Sequence, residues 1–442
     1  MAETTLDPSR EVLTAVDQGT PWRTWGICGL MLLATMLNYM DRQTLAQQAR
    51  DIRTQLGLSN EDYGRLEFGF GLAFAVGGIA TGYLADRVSL RWFYPAILLA
   101  WSTVGFLTGW VHNYRELFLC RVLLGFFEAG QWPCALAASQ RLLAPRDRPL
   151  GNSILQSGAS LGAILTPIVV LLLNSGESGE WRRPFWVIGA LGVFWVVGWL
   201  LAIRPGELAI REQALPLDPA PGAVGEPAEG PSPPNPRARR IAIRRFLAMI
   251  VVVIMINFCW QYFRAWMPMM LEEEHGYSRT DTQAFSSAYY LIAGIGCVAV
   301  GFLAKWLTGW GLSVHGARMA TFAVCVVLTG LGTVAAILPP SWLLLTILLA
   351  IGFGSLGQFP TYYAFTQEIS TRQMGQVTGV LSFVTWVSWA LISIPIGVWI
   401  DRTGSYAAVT FLAGIAPLIG LLAILLLWRD DDGLLGFSTP RR

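Results

Sequence analysis

Ionisable side chains interrupt several long apolar stretches of this sequence. Asp41 and Arg42 lie about two-thirds of the way along the first stretch. Arg121 and Glu128 share the fourth stretch, and Arg264 lies in the seventh. A charge among apolar groups is costly unless it has a partner or a solvated cavity. Asp41 and Arg42 are therefore expected on a cavity wall; the alternative is that they are solvated at the outer end of their helix.

Arg121 and Glu128 are seven residues apart, which is close to two helical turns, so both side chains project from one face. Gly125 lies between them and is expected to leave space there. Apolar neighbours favour the neutral form of the Glu128 carboxyl, which could then take up and release a proton near neutral pH. The alternative is a permanent structural ion pair between Arg121 and Glu128.

Arg264 has no acidic residue close to it in the sequence before the run Glu272–Glu274. A guanidinium group pairs with a carboxylate through two parallel hydrogen bonds, so an unneutralised Arg264 would be a natural contact for an anion. Two alternatives are open: the side chain extends to the outer surface, or it pairs with Glu272–Glu274.

The elements that must position these groups are membrane-spanning helices. Of the 442 residues, 54% are hydrophobic and 14% are charged, and soluble domains carry about a quarter charged residues. About twelve apolar stretches are long enough to cross a bilayer. They cover approximately residues 24–45, 61–85, 92–112, 115–141, 150–174, 184–203, 246–271, 282–307, 316–338, 342–366, 376–400 and 406–428. We therefore predict an all-α membrane protein with two six-helix pseudo-repeats.

A segment rich in Pro, Gly, Ala and Glu divides these stretches into two sets of six, and this composition is typical of a disordered linker. The Arg residues around it favour a cytoplasmic position. The start of the chain is polar and shows no signal peptide, so both termini are expected in the cytoplasm of a cell whose inner membrane holds the protein. The predicted segments are an N-terminal tail (1–21), a first bundle (22–203), the linker (204–245), a second bundle (246–428) and a C-terminal tail (429–442).

The two halves resemble each other in chain order. Residues 36–39 match 255–258, and 82–85 match 301–304, both at an offset of 219 positions. Further along, 125–133 matches 352–360 at an offset of 227. Repeated agreement in chain order indicates an internal duplication, and two parallel six-helix repeats are typical of one large class of membrane transporters.

The segment from Gly82 to Arg91 follows the second apolar stretch and reads Gly-Tyr-Leu-Ala-Asp-Arg-Val-Ser-Leu-Arg. It resembles the cytoplasmic signature of the major facilitator superfamily, although Ser89 stands where that pattern usually has Gly. The resemblance implies that Gly82 permits a close helix approach and that Asp86, with Arg87 and Arg91, forms an inner latch. The alternative is that these charges only anchor a loop.

Within that superfamily, several segments resemble the anion:cation symporter family, which includes bacterial hexuronate and aldonate transporters. They are the Asn-Tyr-x-Asp-Arg run at 38–42, the Arg121–Glu128 segment, and residues 157–167 and 184–192. The resemblance implies proton symport of a monovalent sugar acid. Asp41 and Glu128 would carry protons, and Tyr39, Arg42 and Arg121 would contact the substrate. Phe74 and Gly78 depart from the Tyr and Gln that members often carry, which leaves the particular acid open.

The duplication aligns Asp41 with Trp260, Arg42 with Gln261 and Glu128 with Ser355. The titratable groups of the aligned positions are thus in the first half. We expect the second half to contact the polyol or ring portion of the substrate together with Arg264. The residues expected there are Asn257, Gln261, Gln358 and Tyr362.

Other functions find little support in the sequence. It has no nucleophile elbow, P-loop or paired metal ligands, so an enzyme is not expected. The six cysteines form no CxxC pair and the three histidines are far apart, so neither a metal nor another cofactor is predicted. The expected partners are a small organic anion, protons and the lipid bilayer, with no nucleic acid and a monomeric state. An uncoupled facilitator and a proton-driven exporter of another metabolite are the alternatives.

Overall fold

A computed structural model of the chain describes residues 21–85, 87–143, 147–173, 179–208, 236–369 and 374–428. Within these ranges the regular structure is helical throughout. A π-helical turn, Met270–Glu274, directly follows α9. The α-helices are α1 Trp22–Gln47, α2 Ala49–Leu56, α3 Asn60–Ala85, α4 Leu90–Thr108, α5 Tyr114–Glu128, α6 Gln131–Leu142, α7 Arg148–Leu173, α8 Arg182–Ala202, α9 Pro236–Met269, α10 Arg279–Gly309, α11 Val314–Gly330, α12 Gly332–Ala335, α13 Trp342–Ile369, α14 Met374–Thr403 and α15 Ala407–Leu427.

Ten helical spans of the described chain are long and apolar enough to cross a membrane. Two further predicted stretches correspond to α1, which carries Asp41 and Arg42, and to α5 with α6. These last two are separate helices because the chain turns at 129–130, where Pro133 has no N–H to donate to the carbonyl of Ala129. The prediction of an all-α membrane protein with about twelve spans is confirmed.

Helix α9 begins at Pro236, ten residues before the predicted start of the seventh span at 246. Proline is favoured in the first turn of a helix, and the Arg and Ala residues that follow it are good helix formers. The C-terminal end of the predicted linker 204–245 is therefore helical. The rest of that linker from 209 to 235, the N-terminal tail except Pro21, and the C-terminal tail 429–442 lie outside the described residues.

Contacts between Cα atoms divide the chain into two compact units. Unit 1 comprises residues 1–58 and 69–210, and unit 2 comprises 59–68 and 211–442. The first nine residues of α3 thus group with unit 2, while the remainder of that helix belongs to unit 1.

In unit 1, α1 packs along α7 and α4 packs along α8. Glycines make the first of these approaches possible: a Cβ on Gly158 would lie 2.3 Å from the carbonyl oxygen of Leu32, and one on Gly162 would lie 2.4 Å from that of Met36. Small residues at helix contacts allow backbones to approach closely in membrane proteins, where lipid removes the hydrophobic drive for association.

In unit 2, α9 packs against α15, while α13 packs against α10 and α11. Large apolar side chains from several of these helices form one buried cluster. Its members include Met249, Val253, Ile256, Phe322, Phe365 and Leu381.

One packing contact occurs in both units at corresponding positions. A Cβ on Gly77 of α3 would lie 2.3 Å from the carbonyl oxygen of Phe126 on α5. In unit 2, a Cβ on Gly296 of α10 would lie 2.3 Å from the carbonyl oxygen of Phe353 on α13. Gly296 follows Gly77 by 219 positions and Phe353 follows Phe126 by 227, which are the two offsets of the sequence repeat. The duplication is therefore visible in helix packing as well as in sequence.

Candidate substrate and proton site

An ion pair between Arg42 and Glu128 lies in the interior of unit 1. The Arg42 Nη2 and Nε atoms lie 3.0 and 3.2 Å from Glu128 Oε2, and the two residues are 4% and 0% exposed. Asn38, one turn before Arg42 on α1, accepts a hydrogen bond from Arg42 Nη2 at 3.2 Å and donates one to the Glu128 backbone carbonyl at 3.3 Å. The i, i+4 spacing on α1 places both side chains against the C-terminal end of α5.

Asp41 lies beside this ion pair and is also buried. Among the described residues, no group forms a hydrogen bond with either of its carboxyl oxygens. Gly105 of α4 provides the room for this carboxyl, since a Cβ at Gly105 would lie 2.7 Å from Asp41 Oδ1. An ionised carboxylate without a partner is very unfavourable in such a place, whereas a neutral carboxylic acid is far less so. Asp41 is therefore a candidate proton-binding residue.

Aromatic rings lie next to the guanidinium groups of Arg42 and Arg121. The Arg42 Cζ atom lies 5.1 Å from the ring centre of Tyr39 and 4.9 Å from that of Phe74. The Arg121 Cζ atom lies 4.2 Å from the ring centre of Phe70. Such cation–π contacts stabilise a guanidinium group that has left water. Phe74 stands where members of the family often have Tyr, and it therefore places an apolar ring next to Arg42.

Gly125 does not leave the free space that the sequence suggested. A Cβ there would lie 2.4 Å from the carbonyl oxygen of Phe70, so the backbone of α3 fills that volume. Space is available instead at Gly78 on α3, where a Cβ would have no neighbouring atom within 4 Å.

Arg264 belongs to a second buried ion pair, in unit 2. Its Nη2 atom donates to Oε2 of Glu67 at 2.5 Å, and its Nε atom donates to the amide oxygen of Gln261. Arg264 is 1% exposed and Glu67 is 0% exposed. Trp389 of α14 also donates its indole N–H to Glu67 Oε2, at 3.1 Å. Neither alternative considered for Arg264, exposure at the surface or pairing with Glu272–Glu274, describes this arrangement.

Sequence reasoning missed Glu67. Its helix begins with Glu61 and Asp62, which are ordinary acids of a first helical turn. The available signal was position: Glu67 is the last charged residue before an uncharged run to Ala85. Its partner lies 197 positions away, and sequence spacing gives no indication of such a pair.

The remaining predicted contacts in unit 2 have partners of their own. Asn257 Nδ2 donates to the carbonyl of Thr385 at 3.2 Å, and Gln358 Nε2 donates to Thr329 Oγ1 at 3.3 Å. Tyr362 is 5% exposed, with its ring centre 5.2 Å from that of Tyr363. Of the four polar residues predicted there, only Gln261 forms a hydrogen bond with Arg264 among the bonds of the described residues.

The signature segment is only partly described, because Asp86 lies outside the described residues. A Cβ on Gly82 would lie 4.0 Å from Pro133 Cγ, which is an ordinary contact distance. Arg87 covers the ring of Tyr83, and Arg91 donates to the carbonyl of Ile203 beyond α8. Arg141 of α6 donates to the carbonyl of Ala85, at the end of α3, at 3.0 Å.

In the ranges that the structure covers, no group of three or more His, Cys, Asp or Glu side chains could hold a metal ion. The chemically distinctive features are instead two buried Arg–Glu pairs and the carboxyl of Asp41.

Comparison with known proteins gives the class. Residues 31–314 match the family described as Major Facilitator Superfamily, so the chain belongs to that superfamily of membrane transporters and is not an enzyme. The bacterial homologue of the human lysosomal transporter Spinster, in an inward-facing and unoccupied conformation, has the same fold. The TM-score is 0.72 with 18% sequence identity, covering 93% of this chain and 100% of that one.

Relatives that match along most of their length are transporters of sugar acids. A probable L-galactonate transporter of Escherichia coli K12 is 26% identical over 430 residues, covering 93% of this chain and 90% of the relative. The hexuronate transporter of the same strain is 22% identical over 409 residues, covering 90% and 93%. The predicted resemblance to sugar-acid transporters is confirmed, and these identities do not favour a hexuronate over an aldonate.

Proposed function

We propose that this chain imports a small monovalent sugar acid, a hexuronate or an aldonate, together with protons. The proposal rests on the sugar acids named for its relatives and on one observation in unit 1: a buried carboxyl without a hydrogen-bond partner, Asp41, lies beside a buried ion pair, Arg42–Glu128. We further propose that the protein resides in the inner membrane as a monomer, with both termini in the cytoplasm.

The ion pair supplies a means of coupling. Arg42 is the charge that a substrate carboxylate would contact, and Glu128 occupies two of its donors. A proton on Glu128 removes the negative charge that holds Arg42, and the guanidinium is then available to a substrate anion. Proton and anion thus favour the same state, which is the thermodynamic requirement for symport.

Asp41 supplies a second place for a proton. Asp41 and Glu128 are both buried in unit 1, and two negative charges in one buried site are unfavourable. Two interacting acids titrate as a pair, so the proton belongs to the Asp41–Glu128 pair rather than to one residue. Arg121, over the ring of Phe70, adds a second cation to the same unit. With both acids protonated, Arg42 and Arg121 carry two positive charges, which attract a substrate anion.

Neutral parts of the substrate would contact unit 2. Asn257, Gln261, Gln358 and Tyr362 supply hydrogen-bonding groups suited to hydroxyls. Transport would proceed by alternating access, with the segments around Gly82, Arg87 and Arg91, and the undescribed Asp86, forming an inner latch.

The decisive experiment is uptake of labelled glucuronate into liposomes that hold the purified protein, with and without an imposed inward proton gradient. Accumulation above equilibrium that collapses with a protonophore supports symport. Uptake that only equilibrates would replace symport by uncoupled facilitation, and net extrusion driven by the gradient would replace it by export. Absence of uptake would exclude glucuronate, and the same assay would then be run with galactonate, aldarates and sulfonates.

A further inference from the structure

The Glu67–Arg264 pair of unit 2 has no counterpart in the coupling scheme above. We propose that Glu67 is a further proton-binding residue and competes with the substrate carboxylate for Arg264. This inference rests on the proposed function, because it takes an organic anion as substrate. Because a monovalent sugar acid has a single carboxylate, Arg264 would be its contact in place of Arg42, on another helix pair and in another unit.

The geometry leaves Arg264 partly available to a ligand. Its Nε atom is held by Gln261 and its Nη2 atom by Glu67, while its Nη1 atom is buried and has no hydrogen-bond partner among the described residues. A carboxylate prefers to bind two N–H groups of a guanidinium in parallel. With Glu67 ionised, an incoming carboxylate finds only Nη1. With Glu67 protonated, Nη2 is released and Nη1 with Nη2 form a two-donor site.

The surroundings keep Glu67 in place in both protonation states. Trp389 donates its indole N–H to the same Oε2 atom that Arg264 contacts, and an indole donor does not depend on the charge of the carboxyl. The adjoining α3 backbone is fixed as well: Tyr63 donates to the carbonyl of Ala265 at 3.0 Å, and Ser393 donates to the carbonyl of Gly64 at 2.9 Å. Loss of the Arg264 contact therefore leaves the carboxyl where it can pair again.

In the part of the chain that the structure describes, the titratable groups with an electrostatic effect on Arg264 are Glu67 and two tyrosines. Tyr63 on α3 itself and Tyr290 on α10 lie within electrostatic range of Arg264, whereas α14 presents Trp389, which does not titrate. Other charged groups on these helices have separate partners: Glu61 pairs with Arg65, and Asp401 accepts from the backbone N–H groups of Asn60 and Glu61. A tyrosine titrates far above neutral pH, so a change in anion binding near neutral pH at this pair would be due to Glu67.

The test is exchange of labelled glucuronate across proteoliposomes with equal pH on both sides, measured from acidic to alkaline buffer. In the wild-type chain, we expect the half-saturating concentration to rise with pH. In alkaline buffer, Glu67→Gln should lower the half-saturating concentration at least about tenfold, towards its value in acidic buffer. The reason is that no glutamate carboxylate then competes with the substrate for the charge-assisted contact to Arg264. Glu67→Asp should retain the rise, since it keeps a titrating carboxyl. Glu61→Gln, on the exposed start of the same helix, is the matched control and should behave as wild type.

A rise with pH in Glu67→Gln as steep as in the wild-type chain would overturn the inference and leave the proposed function intact. Failure of the wild-type chain to exchange any sugar acid would overturn both.

A second variant covers the case in which Glu67→Gln does not reach the membrane, since it leaves a buried cation without its counter-charge. The double variant E67Q/R264Q removes both charges together and should fold. Its half-saturating concentration in acidic buffer should exceed that of the wild-type chain at least about tenfold, because the cationic donors to the anion are gone. Wild-type affinity in this variant would show that Arg264 does not contact the substrate and would overturn the inference.

Discussion

The two units of this transporter keep the same helix packing but place their buried charges differently. Gly77 against Phe126 in unit 1 and Gly296 against Phe353 in unit 2 are the same contact at the repeat offsets. The ion pairs do not follow those offsets. Arg42 corresponds to Gln261, and Arg264 lies three residues beyond that position.

The difference shows which features a duplicated membrane bundle requires. Close helix approach depends on glycine at fixed positions in any copy of the fold. A buried ion pair is not needed for the fold, because apolar residues of similar size fill such a site at least as well. The two pairs lie at positions that the repeat does not relate, so we propose that they have separate roles. Unit 1 has an additional buried acid, Asp41, and unit 2 instead has an indole donor, Trp389.

The largest expected effect concerns the acid of the unit 1 pair. Glu128→Gln should abolish proton-driven accumulation and bring uptake down to equilibrium, because the residue can no longer bind and release a proton. Counterflow exchange without a gradient should persist. Glu116→Gln, an exposed glutamate at the start of the same helix, should retain full accumulation. Loss of exchange together with accumulation in Glu128→Gln would contradict a role in coupling alone.

The next effect is on stability, and it is expected to be larger for a substitution of Arg42 than for one of Asp41. Arg42→Gln removes the guanidinium that contacts the buried Glu128 carboxylate and should lower the free energy of unfolding by about 3–5 kcal/mol. The double variant R42Q/E128Q should recover most of this loss. Asp41→Asn removes no hydrogen bond present in the structure, so its cost should stay below about 1 kcal/mol. Thermal unfolding in detergent measures the stability of all three variants. Equal losses of stability in Arg42→Gln and Asp41→Asn would contradict the expectation that the ion pair contributes more to stability than Asp41 does.

The shared packing can be tested with adjacent glycines. A methyl group on Gly77 or Gly296 would strike the backbone carbonyl of the facing helix, so each Gly→Ala change should cost about 1–3 kcal/mol. Gly78→Ala and Gly301→Ala serve as controls, because a Cβ at either position meets no atom within 4 Å. These controls should be neutral or slightly stabilising, since alanine favours helix. Similar melting temperatures for Gly77→Ala and Gly78→Ala would contradict the contact.

The smallest effect concerns a partly exposed ion pair at the edge of unit 1. Arg23 contacts Glu207 through Nη1 at 2.6 Å and Nη2 at 3.0 Å. The hydrogen bond that Arg23 donates to Glu207 is the main reason why the pKa of Glu207 is lowered from its ordinary value of 4.5. The pair therefore stabilises the fold above about pH 4.5, and its contribution is lost as the pH falls through the lowered pKa.

Glu207→Gln should lower the free energy of unfolding by less than about 1 kcal/mol near neutral pH. The difference from the wild-type chain should vanish in strongly acidic buffer, where Glu207 is protonated in both the folded and the unfolded chain. Melting temperatures of the two proteins at neutral and acidic pH test this. A difference that grows on acidification would have the wrong sign.

The sequence alone determined the class of this protein. Long apolar stretches require a membrane, and the repeat offsets predicted the two halves whose glycine contacts the structure displays. Residue types also singled out Asp41, Arg42, Glu128 and Arg264, because an ionisable side chain is conspicuous among apolar ones, although the sequence left open whether Asp41, Arg42 and Arg264 are buried.

Only the tertiary structure decided which charge contacts which. Spacing along one helix relates Arg121 to Glu128, but it gives no indication that the carboxylate of Glu128 bonds Arg42 on another helix, 86 positions away. The pairing of Arg264 with Glu67 spans 197 positions. Helical periodicity fixes the face on which a side chain lies, but the neighbour of that face depends on how helices pack. That packing is set here by glycines whose significance emerges only when the facing backbone is known.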